Sequence, residues 1–127
     1  MYKKIAHRAN IDGLLENSLS AVESCLKQNV EGIEIDIRHT ADKKPIVFHD
    51  RDLLRLTKSS RIVSTEGPFV DQLLLEELQR DFKLRNNEAI PSLEDVLSLA
   101  KNKDAYIFLE FKDRVGHETL DLVRSYF

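Results

Sequence analysis

Gly32-Ile33-Glu34-Ile35-Asp36-Ile37-Arg38 is the stretch on which the fold class turns. Ile33, Ile35 and Ile37 alternate with Glu34, Asp36 and Arg38, the period-two pattern of a strand. Upstream, residues 18–28 place Leu19, Val22, Cys25 and Leu26 on one helical face, with Asn17 as the expected cap. Before that, the short apolar run 4–6 gives way abruptly to His7-Arg8, as a strand ending in a functional loop would. Downstream, a turn at Asp42-Lys43 leads into the apolar run 46–48 and then His49-Asp50. Residues 51–90 read as a mixed, polar insert with one amphipathic stretch near 73–78. Ser92 then caps a helix, with Asp95 three residues on and Leu93, Val96, Leu97 and Ala100 sharing a face. Residues 106–111 form an apolar strand, and a last helix spans roughly 117–127. The order β-α-β-insert-α-β-α predicts βαβ units, a parallel sheet and one α/β domain over residues 1–127.

Composition narrows the function classes. The 127 residues are 42% hydrophobic and 32% charged with a net charge of -3, which argues against nucleic-acid binding by bulk electrostatics. No apolar run approaches the roughly 20 residues that span a bilayer. The lone Cys25 excludes an internal disulfide and reads as a buried structural thiol. The start turns polar at once, with no secretory pattern, so the expected compartment is the cytoplasm. No GxGxxG, P-loop, CxxC or HExxH is present, which leaves nucleotide, redox and zinc-protease readings without support.

Glu34 and Asp36 interrupt a strand that a helix-covered parallel sheet would keep apolar. They lie on one face, about 6.5–7 Å apart by strand rise. Two like charges buried there need a shared proton or a divalent cation; a solvated edge strand is the alternative. Glu110 falls at the carboxyl end of the later strand, on the face of Phe108 and Lys112, as a third oxygen ligand for Mg²⁺ or Ca²⁺ or as a surface ion pair with Lys112. His7 and His49 both follow apolar runs, and two imidazoles at strand ends can take and give a proton. Arg8 offers a donor fork suited to phosphate and Lys112 a point charge. His39, in a turn, and His117, at a helix start, are expected on the surface.

The combination His7-Arg8, Glu16-Asn17-Ser18, Gly32 through Arg38, Thr40-Ala41-Asp42, Pro45 through Asp50, Ile90 through Leu97 and Leu109-Glu110-Phe111-Lys112 resembles the signature of glycerophosphodiester phosphodiesterases, in the family's order and spacing. The resemblance covers nearly the whole chain and implies a (β/α)8 barrel. It implies Glu34, Asp36 and Glu110 as metal ligands and His7 with His49 as the acid–base pair. Arg8 and Lys112 would hold the phosphate, and Glu16 with Asn17 would support the first loop. The implied reaction is attack of a glycerol hydroxyl on the neighbouring phosphorus, loss of the alcohol, and opening of the cyclic phosphate by water to give glycerol 3-phosphate. Two positions depart from the pattern: Ala9 stands where the family has glycine after His-Arg, and Lys43 where it has glycine after Asp.

A complete barrel takes about 250 residues. The chain is therefore expected to be the N-terminal portion of a barrel, ending after the third βα unit. Its uncovered sheet predicts self-association or a longer polypeptide. A noncatalytic metal-binding half-barrel is the alternative to an enzyme.

Overall fold

The computed structural model describes residues 4–62 and 66–127. In chain order its elements are β1 (Ile5–Ala6), α1 (Leu19–Lys27), β2 (Gly32–His39), β3 (Pro45–Val47), β4 (Thr57–Lys58), α2 (Leu75–Asp81), β5 (Lys83–Leu84), α3 (Leu93–Ala100), β6 (Tyr106–Phe111) and α4 (His117–Tyr126). β2 is the centre of the main sheet. β1 joins it in parallel with Ile5 opposite Gly32, and β6 runs parallel along its other edge from Gly32 opposite Tyr106 to Ile37 opposite Phe111.

The expected parallel order holds for these three strands and fails for β3, which is antiparallel to β2 with Ile37 opposite Val47. The reason is the connection: residues 40–44 are too few for a parallel crossover, which takes a dozen or more residues, so the chain can only fold back as a hairpin.

Ile33, Ile35 and Ile37 are wholly buried against Val22 and Cys25 of α1 and Leu93, Val96 and Leu97 of α3, with Leu122, Val123 and Tyr126 of α4 packed around them. The alternation read in the sequence thus turns the isoleucines to the helices and the acids to the opposite face. Ser18, not Asn17, caps α1: its Oγ accepts from the Ala21 N–H at 3.2 Å. Asn17 instead sits at φ +54° with its amide turned toward β2. On α3 the Ser92–Asp95 capping box forms as read. Cys25 is buried, with Sγ 3.5 Å from the Ala9 carbonyl, and burial pushes its thiol pKa up.

His39 corrects the sequence reading. It is the last residue of β2 and is buried, with Nδ1 2.6 Å from Asp113 Oδ1 and Nε2 2.8 Å from Thr119 Oγ1 of α4. The strand runs one residue past Arg38, so alternation carries position 39 to the isoleucine face, where α4 covers it. His117 is exposed, as expected.

The insert is more than a polar excursion. Leu53, Leu56, Leu78, Phe82, Leu84 and Ile90 build a second core with Ile46 and Phe48, closed by the antiparallel β4–β5 pair. Glu88 ties this unit to the main body, accepting from the Ser20 N–H at 3.0 Å and the Ser20 Oγ at 2.6 Å in the first turn of α1.

Replacing the α3 cap tests the main body directly. Ser92→Ala removes the acceptor for the Asp95 N–H and is expected to cost about 1 kcal/mol. Urea unfolding should show a lower midpoint at unchanged m-value.

Candidate active site

The acid face of β2 is where the two parallel neighbours matter. Register sets Asp36 opposite Glu110 and Glu34 opposite Phe108. One carboxylate oxygen from each of Glu34, Asp36 and Glu110 lies within 4.8 Å of the others. Asp36 is buried, Glu34 half-buried and Glu110 exposed. Asp36 Oδ1 and Glu34 Oε1 are buried with no hydrogen-bond partner among the described residues. An unmet buried acceptor costs roughly 1–3 kcal/mol, more when charged. Two such oxygens beside a third carboxylate fit a hard divalent cation, which takes oxygen ligands. Burial raises the Glu34 pKa above its ordinary 4.5; the Arg8 N–H opposes this, while Asp36 and Glu110 reinforce it. Lys112 lies among the acids, donating to Glu110 Oε1 at 2.9 Å with Asp36 Oδ1 at 3.6 Å, and it lowers the Glu110 pKa.

The loop after β1 is clasped onto this face. The Arg8 N–H donates to Glu34 Oε2 at 2.9 Å, and the Asn17 N–H donates to the Arg8 carbonyl at 2.7 Å. Asn17 Nδ2 donates to Asp36 Oδ2 at 2.9 Å while Asn17 Oδ1 accepts from the Asp36 N–H at 3.3 Å. Asn17 therefore holds a carboxylate and the loop together. The turn needs positive φ at two successive residues, Arg8 at +53° and Ala9 at +54°. An L-residue there costs roughly 1–2 kcal/mol. Burial of the Ala9 methyl offsets about 0.8 kcal/mol of that cost. Alanine is thus sustainable in this turn.

The two histidines are held very differently. His7 is largely exposed, with Nε2 3.8 Å from Glu34 Oε2. His49 lies between two fixed groups: Nδ1 is 2.7 Å from Asp50 Oδ1, and Nε2 is 2.9 Å from Arg8 Nη2. A guanidinium has no acceptor, so Nε2 must accept and the ring proton sits on Nδ1, donated to Asp50. Arg38 Nε donates to the His49 carbonyl at 2.7 Å and holds the backbone. His49 follows a strand end as read, although that strand is the antiparallel β3.

Behind Asp50 stands Arg55, which the sequence reading did not single out. Its Nε and Nη2 donate to Asp50 at 2.8 and 2.9 Å, and its Nη1 and Nη2 donate to Glu16 at 2.7 and 3.1 Å. Glu16 in turn accepts from Arg8 Nη1 at 3.3 Å. Arg55, then His49, holds Asp50 at a pKa of about 2 against burial. The adjacency His49-Asp50 could have flagged the aspartate; nothing local flags an arginine inside a polar insert. The structure brings Glu34, Asp36, Glu110, His7, His49, Arg8, Lys112, Glu16 and Asn17 to one end of the sheet, and adds Asp50, Arg55 and Arg38.

Two stability predictions carry opposite signs. Glu34 has a folded-state pKa above 4.5, so as pH rises past that value the folded state must release a proton it holds more tightly than the unfolded chain does. Glu34→Gln should therefore raise the thermal midpoint at pH 7 in chelator while weakening divalent-cation binding. Asp50 is the reverse: its pKa falls from 3.8 to about 2, so its contribution is present above the unfolded value and is lost as pH falls through about 2. Asp50→Asn should be less stable at pH 7 and converge with the parent between about pH 4 and pH 2, followed by acid unfolding.

The chain is similar in sequence and in fold to proteins of one family. The sequence profile of the Glycerophosphoryl diester phosphodiesterase family matches residues 7–126. Glycerophosphodiester phosphodiesterase 1 of Bos taurus is 30% identical over 96% of this chain and 37% of its own length. The glycerophosphodiester phosphodiesterase of Caldanaerobacter subterraneus subsp. tengcongensis is 31% identical over 87% of the chain and 45% of its own length. A crystal structure of the glycerophosphodiester phosphodiesterase from Agrobacterium tumefaciens superposes with a TM-score of 0.82 at 26% identity, covering 99% of this chain and 54% of that one. The chain thus spans between about a third and about a half of the proteins it matches. β1, β2 and β6 with their helices are the N-terminal portion of a (β/α)8 barrel, and the chain belongs to the glycerophosphoryl diester phosphodiesterase family.

Proposed function

We propose that this chain supplies the metal-binding and acid–base groups for hydrolysis of glycerophosphodiesters to glycerol 3-phosphate and an alcohol. The observation that carries the reading is the meeting of three carboxylates, two with unpartnered buried oxygens, beside a histidine of defined tautomer. Glu34, Asp36 and Glu110 would hold Mg²⁺ or Ca²⁺. When bound, such an ion neutralises charge on the phosphoryl oxygens.

Arg8 and Lys112 receive the phosphate. Without substrate both are engaged internally, Arg8 with Glu16 and His49 and Lys112 with Glu110 and Asp36. A phosphate that draws Arg8 Nη2 from His49 frees the Nε2 lone pair. His49 then takes the proton of the glycerol hydroxyl as its oxygen bonds to phosphorus, and His7 gives a proton to the departing alcohol as the other ester bond breaks. In the second half His7 takes a proton from the attacking water, and His49 returns its own to the glycerol oxygen as the cyclic phosphate opens. Asp50 stabilises the doubly protonated His49 ring between the halves.

Turnover of glycerophosphocholine, with Mg²⁺ or Ca²⁺ against chelator, tests this reading. Glu34→Ala should abolish turnover, and His49→Ala should lower kcat about 10²–10⁴-fold. Activity indifferent to chelator and to Glu34→Ala would overturn it.

A second reading, a noncatalytic metal-binding half-barrel that self-associates or works through a partner, draws on a different observation. Ile5, Tyr106 and Phe108 are exposed and line a pocket of about 260 Å³ with Glu31, and β6 pairs with β2 alone among the described residues. Further barrel strands, from the same polypeptide or a second copy, would cover that face. Light scattering should show concentration-dependent dimers that Tyr106→Lys weakens; a monomer at all concentrations would oppose self-association. No helix among the described residues is long and apolar enough to cross a membrane. A cytoplasmic compartment is part of this proposal, in keeping with the lone buried thiol of Cys25.

A further inference from the structure

The polar groups around His49 form a closed ring. His49 Nδ1 meets Asp50, Asp50 meets Arg55, Arg55 meets Glu16, Glu16 meets Arg8, and Arg8 Nη2 returns to His49 Nε2. Arg55 is the only member of this ring from inside the insert, and it alone bonds to two carboxylates through a full fork. Its backbone is anchored by the second core: Leu53 and Leu56 on either side are buried, Arg85 Nε donates to the Arg55 carbonyl at 2.5 Å, and the Arg85 N–H donates to the Leu56 carbonyl at 2.9 Å. The guanidinium is half exposed, yet its two carboxylate partners are mostly covered, Glu16 at 10% and Asp50 at 21% side-chain exposure.

We infer that Arg55 is a positioning residue: forked between Asp50 and Glu16, it sets both the ring tautomer of His49 and the aim of the Arg8 guanidinium. This rests on the proposed roles of His49 and Arg8. Without Arg55, Asp50 loses two of the three hydrogen bonds that orient it, and its carboxylate can turn to solvent. The His49 proton then loses its acceptor at Nδ1, and it can occupy Nε2, the position from which the ring must accept, as soon as the Arg8 Nη2 that donates there moves away. On the other side Glu16 loses its bidentate partner and keeps Arg8 alone, so Arg8 is drawn more tightly to Glu16 and away from an incoming phosphate. One arginine thus couples the proton-accepting ring to the phosphate-binding residue. A lysine would keep the charge and lose the planar fork, and could serve only one carboxylate at a time.

The tautomer can be read without turnover. Nitrogen-15 NMR of the imidazoles should show His49 protonated on Nδ1 in the parent and in Arg61→Ala, whose guanidinium, among the described residues, pairs with Glu77 and Asp81 and lies over the Phe82 ring. In Arg55→Ala the Nε2–H form should be populated, and Arg55→Lys should be intermediate. In glycerophosphocholine turnover, Arg55→Ala should lower kcat about 10- to 100-fold, on the scale seen for outer residues that orient metal-binding side chains, with KM raised as Arg8 is misdirected. Arg55→Lys should recover part of kcat and less of KM. A His49 ring that stays on Nδ1–H in both Arg55 variants would overturn the inference, as would kcat and KM equal to the parent's. Should Arg55→Ala not fold, Arg55→Lys carries both readouts. If Glu34→Ala also leaves turnover intact, the proposed reaction fails, while the tautomer result still decides the role of Arg55.

Discussion

A buried aspartate flanked by two glutamates is the constraint around which this half of the barrel is organised. Asp36 is 1% exposed, Glu34 is two residues away on the same strand face, and Glu110 stands across the register. In a low-dielectric setting like charges this close repel strongly and lose hydration as well. The chain answers with donors from every side: the Asn17 amide on Asp36, the Arg8 N–H on Glu34, and the Lys112 ammonium between Asp36 and Glu110. Two oxygens are still left unserved. The compensation is partial, which leaves a place for a cation rather than a neutralised core.

Supplying those donors dictates the shape of the first loop. Its backbone must bend back so that an N–H meets a carboxylate of the neighbouring strand, and two residues in succession take positive φ to do so. The strain is local and is held by packing beneath it, where the buried Ala9 carbonyl meets the Cys25 thiol. The geometry of the candidate site and the helix packing are thereby joined: α1 braces the turn from below while its own N-terminal turn is tied by Ser20 to Glu88 of the insert.

The hairpin strand β3 is the hinge of the architecture in a purely geometric sense. Alternation through it and into Phe48 just beyond divides the side chains between two cores, Val47 into the main one and Ile46 with Phe48 into that of the insert. His49 follows at once, so its position is fixed by both cores together. The insert then contributes Arg55 back across the site. A segment that is polar and irregular by composition thus carries its own apolar core and, through Arg55, holds side chains that lie outside it.

The sequence alone determined the features that depend on local periodicity and spacing. The alternation of residues 32–38 and the Ser92–Asp95 box placed β2 and α3, and the apolar run 106–111 placed β6 to the residue. The facing of Glu34 and Asp36 followed from the strand pleat. The tertiary structure decided what depends on partners distant in the chain. It made β3 antiparallel because its connection is short, and it gave the cap of α1 to Ser18 because Asn17 was needed at Asp36. It buried His39 under α4, and it brought Arg55 to Asp50 and Glu16. Periodicity reports which face a side chain takes; only packing across long sequence separations decides what that face meets.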